Sequence, residues 1–141
     1  MDALRTLRVP GSDEGIRRAK ARFDAFLDEQ GLPERAAWPF KVALDEVLSN
    51  ITKYGRTDAA QPPRVDLLLR VTGDDLEIEV RDDTRPFNPL DVAAPDMTLP
   101  VEARPVGGLG IFLVRKLMDE VEYEWTGGRN RLRMKRRLSR A

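Results

Sequence analysis

Two pairs of short alternating segments limit most strongly what this chain can become. VDLLLRV (65–71) is followed at once by LEIEV (76–80), and VEYEW (121–125) by RLRMKRRL (131–138). Thr72-Gly73-Asp74-Asp75 joins the first pair and Thr126-Gly127-Gly128 the second, both signals for a hairpin. A chain with two such hairpins forms a largely antiparallel sheet and must cover one face of it. The covering segments are also legible. ALRTLRVP reads as a first strand stopped by Pro10-Gly11. Ser12 caps a helix that runs to about Gln30, with Ile16, Ala19, Phe23, Phe26 and Leu27 at helical spacing, and Gly31 closes it. Pro33 lies near the start of a second helix that reaches Tyr54 and ends at Gly55. A Pro-rich segment (83–106) leads to Gly107-Gly108-Leu109-Gly110, which opens a third helix ending near Asp119. The order is β-α-α-β-β-loop-α-β-β. It predicts an α+β, two-layer sandwich with helices packed on one face of a mixed, mainly antiparallel sheet. The 141 residues suit one domain over 1–141.

The chain contains no histidine, which removes a Ser-His-Asp triad, an imidazole-held zinc and a histidine phosphoacceptor. Proton transfer must then rest on carboxylate, lysine or tyrosine. Cysteine is absent as well, so disulfides and thiolate metal sites are excluded and a reducing, cytoplasmic setting is expected. No apolar run approaches the roughly 18 residues that span a bilayer, and MDALRTLRVPGSDEG lacks a basic-then-apolar leader. Neither membrane association nor export is expected. The net charge of zero is unevenly spread: residues 129–141 carry seven basic side chains and no acidic one. The remaining 17 basic and 24 acidic side chains give residues 1–128 a net charge of −7. The alternation in RLRMKRRL reads as a half-buried edge strand with a solvated basic face, rather than as a nucleic-acid site.

Three constellations carry chemistry. On the second helix Phe40, Leu44, Val47, Ile51 and Tyr54 share an apolar face, and Glu46, Asn50 and Lys53 form a stripe beside it. The stripe has two readings. It is a solvated flank held by a Glu46–Lys53 or Glu46–Asn50 contact, or it is a metal-assisted phosphate site. In the second case Asn50 offers Mg²⁺ a neutral oxygen, Glu46 acts as base or holds a water, and Lys53 meets phosphate. In LEIEVRDD the period of two carries Asp82 onto the face of Leu76, Ile78 and Val80. Either the strand frays after Val80, or Asp82 lines a pocket and accepts a hydrogen bond from a group such as an adenine amine. Third, the glycines at 107, 108 and 110 open a helix whose free amides favour an anion, although such a start also serves plain packing. The Pro-punctuated segment 89–106 before it looks like a lid, with Arg104 available to face phosphate.

In this order and at these separations, Glu46 and Asn50, DDTRPFNP (82–89) and GGLGIFLVRKLMDEVEYE (107–124) resemble the GHKL (Bergerat-fold), histidine-kinase-like ATP-binding domain. Within that group they look most like the small anti-sigma serine/threonine kinases of bacterial partner-switching systems. The resemblance covers nearly the whole chain. It implies ATP and Mg²⁺ as cofactors, Glu46 as catalytic base, Asn50 as Mg²⁺ ligand and Asp82 as the reader of adenine. Gly108, Leu109 and Gly110 fall at the second glycine box, whose amides approach the phosphates. An anti-anti-sigma (STAS-type) protein carrying the acceptor hydroxyl, a sequestered sigma factor and a homodimer are the implied partners. There are departures: Tyr54 stands where many members have histidine, Ile51 where alanine is usual, and Thr84 and Pro86 where the Asp-x-Gly box has glycines. Gly127-Gly128-Arg129-Asn130 in the last hairpin is no clear third glycine box. Thr84 is expected to crowd the adenine pocket or restrict the turn. That favours an alternative, a nucleotide-dependent partner-binding module without kinase activity, whereas the retained Glu46 and Asn50 favour the kinase. The catalytic domain of a split histidine kinase and a scaffold with no nucleotide site are the remaining alternatives.

Overall fold

A computed structural model of the chain describes residues 2–54, 62–91, 98, 100 and 109–139. The elements are β1 (Ala3–Pro10), α1 (Asp13–Glu29), α2 (Glu34–Tyr54), β2 (Arg64–Thr72), β3 (Asp75–Asp82), α3 (Leu109–Leu117), β4 (Glu120–Thr126) and β5 (Arg129–Arg137), with one 3₁₀ turn at Pro89–Asp91. Ser12 caps α1 by accepting a hydrogen bond from the Gly15 amide at 3.2 Å, which satisfies one of the free amides of the first turn. The two hairpins turn on Gly73 and on Gly127-Gly128, all three at positive φ.

The sheet has the order β1-β2-β3-β5-β4, and every pairing among the described strands is antiparallel. The helices cover one face. Phe23, Phe26 and Leu27 of α1 and Phe40, Leu44 and Leu48 of α2 are fully buried with Val65, Leu67, Leu69, Leu76, Ile78 and Met134 of the sheet. The α+β two-layer expectation therefore holds. No helix of the described residues is long and apolar enough to cross a membrane.

One expectation is corrected. β5 is not an edge strand: it lies between β3 and β4, and the edges are β1 and β4. Alternation in a sequence reports that one face is buried and the other wet; it carries no information about lateral neighbours. On the open face the basic side chains of β5 meet carboxylates from both sides. Arg131 pairs with Glu79 at 2.6 Å and Glu124 at 3.0 Å, and Arg133 with Glu77 at 3.0 Å and Glu122 at 2.6 Å. Arg129 pairs with Asp66 at 2.6 Å. Arg133 holds the Glu122 carboxyl below its ordinary value, and Glu122 and Glu77 raise the Arg133 guanidinium in turn. The pairs to the exposed Glu122 and Glu124 each contribute little stability, whereas Glu79 is buried and depends on its partners. Together these pairs neutralise the basic strand that would otherwise offer phosphates a stripe of positive charge.

Arg136 lies on the opposite, buried side of β5 and donates to the carbonyl of Leu117, the last residue of α3. It bonds the last turn of α3 and places a positive charge at the negative end of the helix dipole. Arg136→Met is expected to lower the unfolding free energy by about 1–3 kcal/mol in urea titration. An unchanged midpoint would show that this cap does nothing for stability.

Candidate functional site

A cleft opens where α2, the end of β3, the segment after it, α3 and the β4–β5 hairpin converge. Val47, Asn50 and Ile51 line one wall, Thr84, Arg85, Phe87 and Pro89 the rim, and Ile111 of α3 another side. Val80, Asp82, Tyr123, Asn130 and Leu132 form the floor on the sheet. The strand does not fray after Val80. β3 stays in register to its last residue, where Asp82 pairs with Val65 on one side and Asn130 on the other. Asp82 is consequently buried, at 7% exposure.

A buried carboxylate requires partners, and Asp82 has them on one oxygen. Oδ1 accepts from the Thr84 amide at 3.1 Å, from the Thr84 hydroxyl and from Asn130 Nδ2 at 2.9 Å. No hydrogen bond of the described residues ends on Oδ2. Thr84 does not restrict the turn. Among the described residues none but glycine adopts positive φ, so the turn needs no glycine at 84, and the hydroxyl clamps the aspartate at the side of the cleft.

Asn130 was missed by the sequence reasoning. Its amide nitrogen donates to Asp82, to Thr84 Oγ1 at 3.1 Å and to the Arg85 carbonyl at 2.9 Å. Its oxygen accepts from the Phe87 amide at 2.9 Å and from the Tyr123 hydroxyl. Burial pushes the Tyr123 phenol above its ordinary value, which keeps it a donor. A signal was available: Asn130 shares the buried phase of Leu132, Met134 and Arg136, and a strand begun at residue 129 instead of 131 exposes it.

On α2, Glu46 and Asn50 are half-buried and Lys53 is exposed. Asn50 lines the cleft; Lys53 does not. None of the three makes a side-chain hydrogen bond or ion pair among the described residues, so the Glu46–Lys53 and Glu46–Asn50 contacts of a plain solvated flank do not form. Glu46 instead meets α3. A Cβ built on Gly110 would fall 1.9 Å from both Cδ and Oε1 of Glu46 and 2.4 Å from Oε2. Leu109 is the first residue of α3. Arg104, Gly108, Gly55 and most of the expected lid lie outside the described residues.

The donor set suits Mg²⁺. The amide oxygen of Asn50, without a side-chain partner among the described residues, matches a cation that takes few protein ligands and completes its shell with water and phosphate oxygens, and the Glu46 carboxylate one helical turn away can hold one of those waters. Among the described residues no cluster of three acidic side chains stands ready to hold a cation unaided.

Sheet, helical layer and cleft together define an α+β sandwich of the GHKL class. The family described as Histidine kinase-like ATPase domain matches residues 9–136, and the chain belongs to that family. It is 24% identical over 127 residues to the serine-protein kinase RsbW of Listeria monocytogenes serovar 1/2a, which covers 87% of this chain and 80% of that one. It is 26% identical over 98 residues to the serine/threonine-protein kinase BtrW of Bordetella bronchiseptica, covering 70% and 68% respectively. Among solved structures the fold is similar to the RsbU and RsbW domains of Rv1364c from Mycobacterium tuberculosis, with a TM-score of 0.69 at 16% identity. That match spans 99% of this chain and 33% of the longer one, and it is a likeness of fold.

Proposed function

We propose that this chain is a cytoplasmic anti-sigma regulatory kinase that binds Mg–ATP in the cleft and phosphorylates a serine or threonine of an anti-anti-sigma (STAS-type) partner, sequestering a sigma factor otherwise. A homodimer is part of the proposal. The observation that carries it is Asp82, a buried carboxylate with one oxygen held by three donors and the other left for a ligand. Oδ2 accepts the adenine amine, and Val47, Ile51, Val80, Ile111 and Leu132 supply apolar surface for the ring.

Asn50 holds the cation beside the phosphates, and Mg²⁺ when bound neutralises charge on the transferring phosphoryl group. Glu46 takes the proton of the acceptor hydroxyl as its oxygen bonds to the γ-phosphorus and the bond to the β-phosphate oxygen breaks, leaving ADP. Arg104, Gly108 and Leu109 are assigned to the phosphate side of the site, and Lys53 to its outer edge. The alternative is an inactive partner-binding module; the bond from Thr84 to Asp82 supports the kinase reading over it, because the residue in the glycine position braces the aspartate.

Glu46→Gln tests the assignment. With Mg–ATP and a STAS-type acceptor, label transfer is expected to fall about 10²–10⁴-fold while nucleotide affinity stays within a few-fold of wild type. Undiminished transfer would remove Glu46 as the base. Wild type that binds nucleotide yet transfers nothing to any acceptor would favour the binding module.

A further inference from the structure

We infer that Gly110 is a positioning residue for the Glu46 carboxylate: the absence of a side chain at 110 is the space in which that carboxylate sits. The inference rests on Glu46 acting as base, and it assigns Gly110 a task other than close approach to phosphate. Gly110 does not have positive φ, so the backbone does not demand glycine. It is the second residue of α3, where alanine is the better helix former. The demand is steric. The three atoms nearest to a Cβ at 110 all belong to the Glu46 carboxylate, at 1.9, 1.9 and 2.4 Å. No hydrogen bond or ion pair of the described residues holds that carboxylate, so among them it is packing against the bare Cα of Gly110 that confines it.

Gly15 provides the contrast. A Cβ there would lie 1.8 Å from the Pro10 carbonyl oxygen, which is backbone and cannot move aside. A Cβ at 110 displaces only the end of a flexible side chain. The fold therefore tolerates Gly110→Ala, and the carboxylate shifts by an ångström or more.

The test uses the full chain with Mg–ATP and a STAS-type acceptor, and compares Gly110→Ala, Glu46→Asp and the double variant. Gly110→Ala is expected to keep the ATP Kd within about threefold and to lower kcat about 10–100-fold. In the double variant the shorter carboxylate clears the added methyl group. Its loss is expected to be at least about fivefold smaller than the product of the single losses. A Kd raised tenfold or more with kcat intact, or strictly multiplicative losses, would overturn the inference. A second arm needs no turnover. Gly110→Ala is expected to lower the thermal midpoint in wild type and to raise it in a Glu46→Ala background. Equal shifts in the two backgrounds would also overturn the seat. If wild type lacks transferase activity while the midpoints behave as stated, the reading of Glu46 as base fails and the seat stands.

Discussion

Asn130→Ala is expected to lower the free energy of unfolding by about 3–5 kcal/mol, measured by urea denaturation followed through tryptophan fluorescence. The magnitude follows from what the side chain holds. It meets Asp82, Thr84 and the Arg85 carbonyl through its nitrogen, and the Phe87 amide and Tyr123 hydroxyl through its oxygen. Truncation removes all of these bonds at once: Asp82 keeps only the two from Thr84 and the Arg85 carbonyl only a longer one from the Thr84 hydroxyl, at about 1–3 kcal/mol for a buried group left short and less where water can enter. Because a domain of this size is stable by about 5–15 kcal/mol, the variant would lie near its folding limit. A loss under 1 kcal/mol would mean that water replaces Asn130 and that the network is ornamental to stability.

Asp82→Asn carries the largest expected effect on binding: affinity for Mg–ATP falls by at least about 100-fold in calorimetry, with the fold intact by circular dichroism. The network dictates how the new amide must sit. Three donors converge on the Oδ1 position, so the amide oxygen takes that place and its NH₂ group faces the cleft. A donor would then face the adenine amine. The same geometry predicts that the variant gains relative affinity for inosine triphosphate, whose base presents a carbonyl at that point. Wild-type affinity for ATP in Asp82→Asn would mean that Asp82 does not read the base.

Much of this molecule was legible before its coordinates. Ser12 and Gly73 announced a cap and a turn through chemistry that acts within a few residues, and the period of two placed Asp82 in the core register. What was illegible joins residues far apart. Nothing local to Gly110 says that the carboxylate of Glu46 lies over it, and nothing in RLRMKRRL says which strands flank it. Thr84 shows a second limit. As a letter replacing glycine it counted against the pocket. In place, its hydroxyl reaches Asp82 and its backbone needs no special angle. Asn130 escaped because two residues' difference in a strand's start moved it from a register position into a turn.

The insertion of β5 between β3 and β4 also has a temporal consequence. Asp82 is synthesised well before Asn130, and the floor of the cleft exists only once β5 has paired with β3 from Asp75↔Arg137 to Asp82↔Asn130. On a translating ribosome, β1 to β3 and the first two helices emerge before β5, which must later close against the unpaired side of β3. Such long-range pairing is the slow part of folding. The cleft thus matures last, and occupancy by a ligand would report that the whole sheet has assembled.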